Sequence, residues 1–177
     1  MSTSKLSELA AYNIRRTMEL DPAAKTKAEV LFIYPHIKAL GYYRLAHKLW
    51  INGHHFLARK LSNRARRITG IEIHPGAQIG KGLVIDHGMG VVIGETTIIG
   101  DNCQLYHGVT LGGRGKCDCK RHPTLEDGVY VGSGAKILGN ITLHKNSKVG
   151  ANAVVLEDVP ENSTAVGLPA HIVQGKK

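Results

Sequence analysis

Residues 125–155 read LEDGVYVGSGAKILGNITLHKNSKVGANAVV, and in that stretch Leu125, Val131, Ile137, Leu143, Val149 and Val155 stand six apart without a slip. Four positions after each anchor come Val129, Ala135, Ile141, Ser147, Ala153 and Val159, mostly small or branched. Residues spaced by six walk around a 3.6-residue helix and form no single face, so the period excludes helix. An aliphatic anchor every six residues, with Gly or Asn at the corners, predicts a parallel β-helix in which each hexad supplies one short strand and one turn. Three hexads close a triangular coil, and successive coils stack at the inter-strand spacing of ~4.8 Å.

Upstream the period continues. Ile73, Ile79 and Ile85 form one set, and Ile93, Ile99, Leu105 and Leu111 form another, displaced by two extra residues. The thirteen anchors predict a little over four coils. The larger interruption, GGRGKCDCKRHPT from Gly112 to Thr124, must leave the coil as a loop. Its Gly, Arg, Lys, His and Cys make it the leading functional candidate.

Residues 1–70 have a different rhythm. Leu57, Leu61, Ala65 and Ile68 recur at helical spacing, and Asp21 followed by Pro22 has the form of an N-cap with Pro at the first helical position. Helices are predicted near 4–19, 22–34, 36–51 and 54–68. The chain thus divides into an α-helical segment over 1–70 and a mainly β segment over 71–177 that carries the loop at 112–124.

Charge divides the same way. Residues 1–70 carry thirteen Lys/Arg and four Asp/Glu, 13 − 4 = +9, whereas residues 71–177 carry ten of each. The run Arg59–Arg67, RKLSNRARR, has the charge to attract nucleic acid but no interleaved aromatic residues for base stacking. A solvated helix face or subunit contact is the expectation, and no nucleic acid partner. The longest apolar run, Val30–Tyr34, is far short of a membrane span, and the polar start MSTSKLSE has no signal-peptide core, so a cytoplasmic protein is expected. Three cysteines, Cys103, Cys117 and Cys119, argue against a disulfide framework.

The stretch GIEIHPGAQIGKGLVIDHGMGVVIGE, then YHGVTLGG, RHP, GSGAKILGN and the ending VGLPA together resemble the serine O-acetyltransferases, within the hexapeptide-repeat acyltransferases. DHGMG combined with RHP, and the Asp21-Pro22 pair in the helical part, carry the resemblance beyond the hexads alone. It implies a left-handed β-helix, an exception to the right-handed crossover rule. It also implies a homotrimer with active sites between neighbouring coils, and transfer of acetyl from acetyl-CoA to the hydroxyl of L-serine for cysteine synthesis. The chain resembles the short form, which leaves the pairing of trimers open. Other enzymes on the same repeat are the alternatives: a sugar or other small-molecule acetyltransferase, or a zinc hydratase like the γ-carbonic anhydrases.

An alcohol attacking a thioester needs a base, and histidine serves near neutral pH. His87 stands in the turn after Ile85, flanked by Asp86 and by glycines, and in the family the matching histidine is the general base. The resemblance gives it Glu72 as carboxylate partner, where the long-form pattern has Asp. For a zwitterionic substrate it gives Asp21 and Asp86 to the ammonium, Arg121 to the carboxylate and His122 as a further contact. Acetyl-CoA is expected along the outside of the coils at Gly113, Ser133, Gly134 and Ala151, with Lys136 or Lys148 near its phosphates. His87 and His107 lie one coil plus two residues apart and should stack on one corner, as zinc histidines would, but no third histidine is in register. The CDC of Cys117–Cys119 followed by His122 also lacks a fourth ligand, so no metal is expected. The chain ends Val173-Gln174-Gly175-Lys176-Lys177, without the apolar terminal residue by which many family members dock into cysteine synthase, so a tail-mediated complex is not expected.

Overall fold

The structure, a computed structural model, describes residues 3–173, with side chains over 7–171. Residues 174–177, on which the expectation about the tail rests, lie outside the described residues. Four helices, α1 (Thr3–Leu20), α2 (Lys27–Phe32), α3 (Pro35–Ile51) and α4 (His55–Thr69), precede the strands. Asp21-Pro22 does not open the second helix as expected. Thr26 caps α2 instead, accepting from the Glu29 amide at 3.1 Å, while Glu29 reaches back to the Lys25 amide at 3.0 Å. This reciprocal capping outcompetes an isolated Asp-Pro, and residues 21–26 stay non-helical.

Strands from β1 (Glu72–Ile73) onward wind as a triangular prism. One wall stacks β1, β4 (Val92–Ile93), β7 (Thr110–Gly112), β10 (Lys136–Leu138) and β13 (Val154–Val155). The second stacks β2 (Gln78–Ile79), β5 (Ile98–Ile99), β8 (Thr124–Leu125) and β11 (Thr142–Leu143). The third stacks β3 (Val84–Asp86), β6 (Gln104–Tyr106), β9 (Tyr130–Val131), β12 (Lys148–Val149) and β14 (Thr164–Gly167). All of these pairs are parallel and in register, anchor on anchor, as in Ile73↔Ile93 and Val131↔Val149. The anchors from Ile85 to Val155 point inward and are buried, because a period of six puts the same side chain at the same place in every coil. The prism runs to five coils, where the anchors alone predicted a little over four. Val159 pairs with Leu143 and Ala165 with Val149 after the strict period has ended.

The first coil has no coil beneath it, so its carbonyls need donors from elsewhere. The helices supply them. Tyr43 donates to the Ala77 carbonyl at 2.6 Å, Arg44 to Ile79 and Gly80 at 2.7 and 2.5 Å, and Ser62 to Ile73 at 2.6 Å. Ala39, Leu40 and Tyr43 share one continuous core with the coil interior. At the other end β15 (Ala170–Val173) folds back antiparallel on β14.

Of the helically spaced residues of α4, Ala65 is buried but Leu57 and Ile68 are not. Ala58, Ser62, Ala65 and Thr69 are buried, while Leu57 and Ile68 are 51% and 52% exposed. Small residues win the inner face because α4 lies close against α3 and β1. No helix among the described residues is long and apolar enough to cross a membrane.

Candidate active site

The two-residue displacement in the hexad pattern decides where the site lies. At the corner between the third wall and the first, regular coils turn in four residues, as in Tyr106-His107-Gly108-Val109, but the first coil spends six, Asp86-His87-Gly88-Met89-Gly90-Val91. The extra pair bulges outward. His87 takes a left-handed φ of 57°, a conformation that the other described non-glycine residues with positive φ, Asn102, Asn146, Asn152 and Asn162, adopt with a residue type suited to it. A histidine held there is a strained position of the kind that clusters at functional sites. Its side chain is 72% exposed, with Nδ1 3.9 Å from Asp86 Oδ1, and its ring meets His107 edge-on at 5.7 Å between centroids. The expected stacking of the two histidines on one corner is observed, and among the described residues no cluster of three His, Cys, Asp or Glu could hold a metal.

Beside this turn is a cavity of about 170 Å³ lined by Asp21, Asp86, Tyr34, His36, Gln104 and Tyr106 among others. Since a water takes about 30 Å³ of liquid, there is room for a ligand of a few heavy atoms. Asp21 Oδ1 accepts from the Ala23 amide at 2.8 Å and Oδ2 from the Tyr34 hydroxyl at 2.5 Å. The Tyr34 bond holds the Asp21 carboxyl below its ordinary range, and the same bond raises the Tyr34 phenol to about 12. Burial pushes His36 down to about 4, so it is neutral at pH 7. Two carboxylates facing one small space repel each other unless a cation lies between them.

Arg121 and His122 are elsewhere. The loop leaves after Gly112 and returns at Thr124, at the corner between the first and second walls. Arg121 donates to Glu95 Oε2 at 2.5 Å and, through its backbone amide, to Thr96 Oγ1 at 3.0 Å. His122 Nδ1 accepts from the Thr96 amide at 3.2 Å, which leaves the proton on Nε2. Burial first, and Arg121 second, lower its pKa, so it stays a neutral donor. Gly94 permits this packing: a Cβ there would stand 1.9 Å from the His122 ring. A single chain therefore does not bring Arg121 and His122 to Asp21, Asp86 and His87. The first wall separates the two groups.

Glu72 is also engaged differently from the expectation. Its Oε2 accepts from Arg66 at 2.9 Å, and within the chain the carboxylate that meets His87 is Asp86. Of the residues expected along acetyl-CoA, Ser133, Gly134 and Ala151 share the corner of His87 and His107, above a stack in which Gly90, Gly108 and Gly134 follow one another backbone on backbone. Lys136 stands next to that corner with Nζ donating to the Gly108 carbonyl. Lys148 is on the third wall, and Gly113 stands apart from them, against Arg121 and His122. Cys117 and Cys119 are joined in a disulfide within the loop, a local bridge rather than a framework.

Sequence reasoning missed Tyr34, Gln104, Tyr106, Glu95 and Thr96. Register gave a signal for one of them, since Tyr106 stands twenty residues after Asp86 and pairs with it. Tyr34 and Glu95 had none, because the helix packing and the loop that bring them in have no period.

A prism of hexads with an exposed histidine at a bulged corner fits a hexapeptide-repeat transferase, and the family model for bacterial transferase hexapeptide repeats (six repeats) matches residues 122–157. A serine acetyltransferase of Helicobacter pylori is 61% identical over 163 residues, 92% of this chain and 95% of that protein. The structure matches soybean serine acetyltransferase complexed with serine (TM-score 0.91, 46% identity, 94% of this chain and 68% of that one). It also matches a serine acetyltransferase in complex with CoA (TM-score 0.91, 41% identity, 97% and 71%). The chain belongs to the serine acetyltransferase family, and its coil is the left-handed β-helix of those structures.

Proposed function

We propose that the chain transfers the acetyl group of acetyl-CoA to the hydroxyl of L-serine, giving O-acetylserine for cysteine synthesis, in the cytoplasm, where acetyl-CoA is available. The observation that carries this reading is the cavity in which Asp21 and Asp86 face one small space beside an exposed histidine. A serine ammonium satisfies both carboxylates and leaves the hydroxyl toward His87. His87 takes the hydroxyl proton as the oxygen attacks the thioester carbon. The C–S bond then breaks, and the imidazolium returns the proton to the leaving thiolate, releasing CoA. Serine and CoA in the matched structures support this substrate pair.

The substrate carboxylate needs a planar cation, and Arg121 is the candidate. Because Arg121 and His87 occupy different corners of the prism, we assign the complete site to two copies: the loop corner of one beside the histidine corner of the next, closed by three-fold symmetry. Gly113 then faces Ser133, Gly134 and Ala151 of its neighbour across the groove that takes acetyl-CoA, with Lys136 at its edge. Whether trimers pair further does not affect the site.

Glu72 is assigned as the carboxylate that stabilises the His87 imidazolium. Its strand starts beside the histidine turn, where the Gly90 amide donates to the Gly70 carbonyl at 2.9 Å. Its bond to Arg66 joins two exposed side chains, an ion pair worth at most about 1 kcal/mol, so changing partner costs little. Glu72→Gln should lower turnover by about tenfold or more while Arg66→Gln leaves it near normal. Steady-state kinetics on both variants checks this, and full turnover in Glu72→Gln would confine Glu72 to the Arg66 pair.

The overall reading is tested by following thiol release from acetyl-CoA with a panel of amino acids and sugars, alongside metal analysis. Release with L-serine well above every other acceptor is the expected result. Preference for a sugar, or a zinc-dependent hydration of carbon dioxide, would overturn it.

A further inference from the structure

The two carboxylates of the cavity are held in different ways. Asp86 ends β3 and is fixed by its register with Tyr106. Asp21 lies in the non-helical segment between α1 and α2, where only its own hydrogen bonds fix the carboxylate. One of these is local, the Asx-type bond from the Ala23 amide two residues on. The other crosses from α3: Tyr34 caps that helix with extended backbone (φ −67°, ψ 120°), Pro35 begins it, and the Tyr34 ring packs edge-on against His36 at 6.0 Å. The phenol is thus placed by elements that do not depend on Asp21, and its hydroxyl meets Oδ2 at 2.5 Å.

We propose that Tyr34 is a positioning residue for substrate recognition, aiming the Asp21 carboxylate into the cavity beside Asp86, so that the site selects a primary ammonium. The proposal rests on the serine reading of the cavity. A hydroxyl-to-carboxylate bond is charge-assisted and short, and it fixes one oxygen while the other lone pairs remain for the ligand. The phenol, pushed up to about 12 first by its bond to Asp21, stays protonated and able to donate. Asp21 also faces His87 and Lys25, and Tyr34 faces Glu29 and Asp86. Among these groups, Tyr34 is the largest influence holding the Asp21 carboxyl down. Without it, one carboxylate oxygen loses its fixed partner, the Asp21 side chain is free to turn, and the ammonium loses an aimed acceptor.

Tyr34→Phe keeps the ring and removes the donor. In the full-length protein we expect the KM for serine to rise about tenfold, with kcat and the KM for acetyl-CoA within about twofold of normal. The rise should fall on serine alone, a split between the two KM values that loss of packing would not give. Asp21→Asn is the companion variant. A normal serine KM in Tyr34→Phe, while Asp21→Asn loses serine saturation, would overturn the role of Tyr34 and leave the serine reading standing. An equal rise of both KM values with a lowered Tm would also overturn it, in favour of a structural role. A normal serine KM in Asp21→Asn would overturn the serine reading itself.

Discussion

His87→Ala should lower turnover with serine and acetyl-CoA by about 10²–10⁴-fold while leaving the protein folded. Serine's hydroxyl is a poor nucleophile until its proton leaves, and His87 is an exposed imidazole next to Asp86, which lines the cavity. The fold should tolerate the change because the side chain is 72% exposed and lies outside the anchor positions that fill the prism. Alanine at φ 57° carries some strain, so His87→Asn is the better control, since asparagine already occupies this backbone conformation at four other described corners. Both variants should melt cooperatively close to the parent by circular dichroism and both should lack activity. Near-normal activity in either would remove His87 from the chemistry.

Mixing two inactive variants should restore activity. Arg121→Ala removes the proposed carboxylate clamp and His87→Ala the proposed base, and each alone should be nearly silent. In the proposed trimer, assembled from an equal mixture, a site is intact when the copy supplying His87 carries the Arg121 change and its neighbour carries the other. Each condition holds half the time, so roughly a quarter of sites should work. Co-refolding the two chains and assaying thiol release checks this, with an expected recovery of more than tenfold over either parent variant. A mixture no more active than its parents would place a complete site within one chain, against the separation of the two corners.

The hexad anchors made the fold legible because a β-helix is a repeating local problem: each six-residue unit meets an identical neighbour, so Ile137 sits on Leu111 and below Val155 for the same reason that Val131 sits on Leu105. The two slips in the period were legible as well, and they hold the bulged His87 turn and the loop of Arg121 and His122. The helical segment was harder to read. Leu57, Leu61 and Ile68 make a helical stripe of larger side chains, yet the buried face of α4 is Ala58, Ser62, Ala65 and Thr69. Spacing identifies a helix face but does not say which face the rest of the molecule leaves room for.

The amino-acid sequence by itself determined the period, the wall positions, the interruptions and the residue types that suit acyl transfer. Tertiary structure alone decided which of those residues meet. It brought Asp21 from the end of α1 into one cavity with Asp86 at the end of β3, bonded Asp21 to Tyr34, paired Arg121 with Glu95 across the loop, turned Glu72 to Arg66, and put the first wall between His87 and Arg121. The physical reason is range. A repeat encodes contacts between equivalent positions in successive coils, whereas the site is assembled from aperiodic elements, a helix end, a bulged corner and an inserted loop, whose meeting depends on how helices and loop pack on the finished prism.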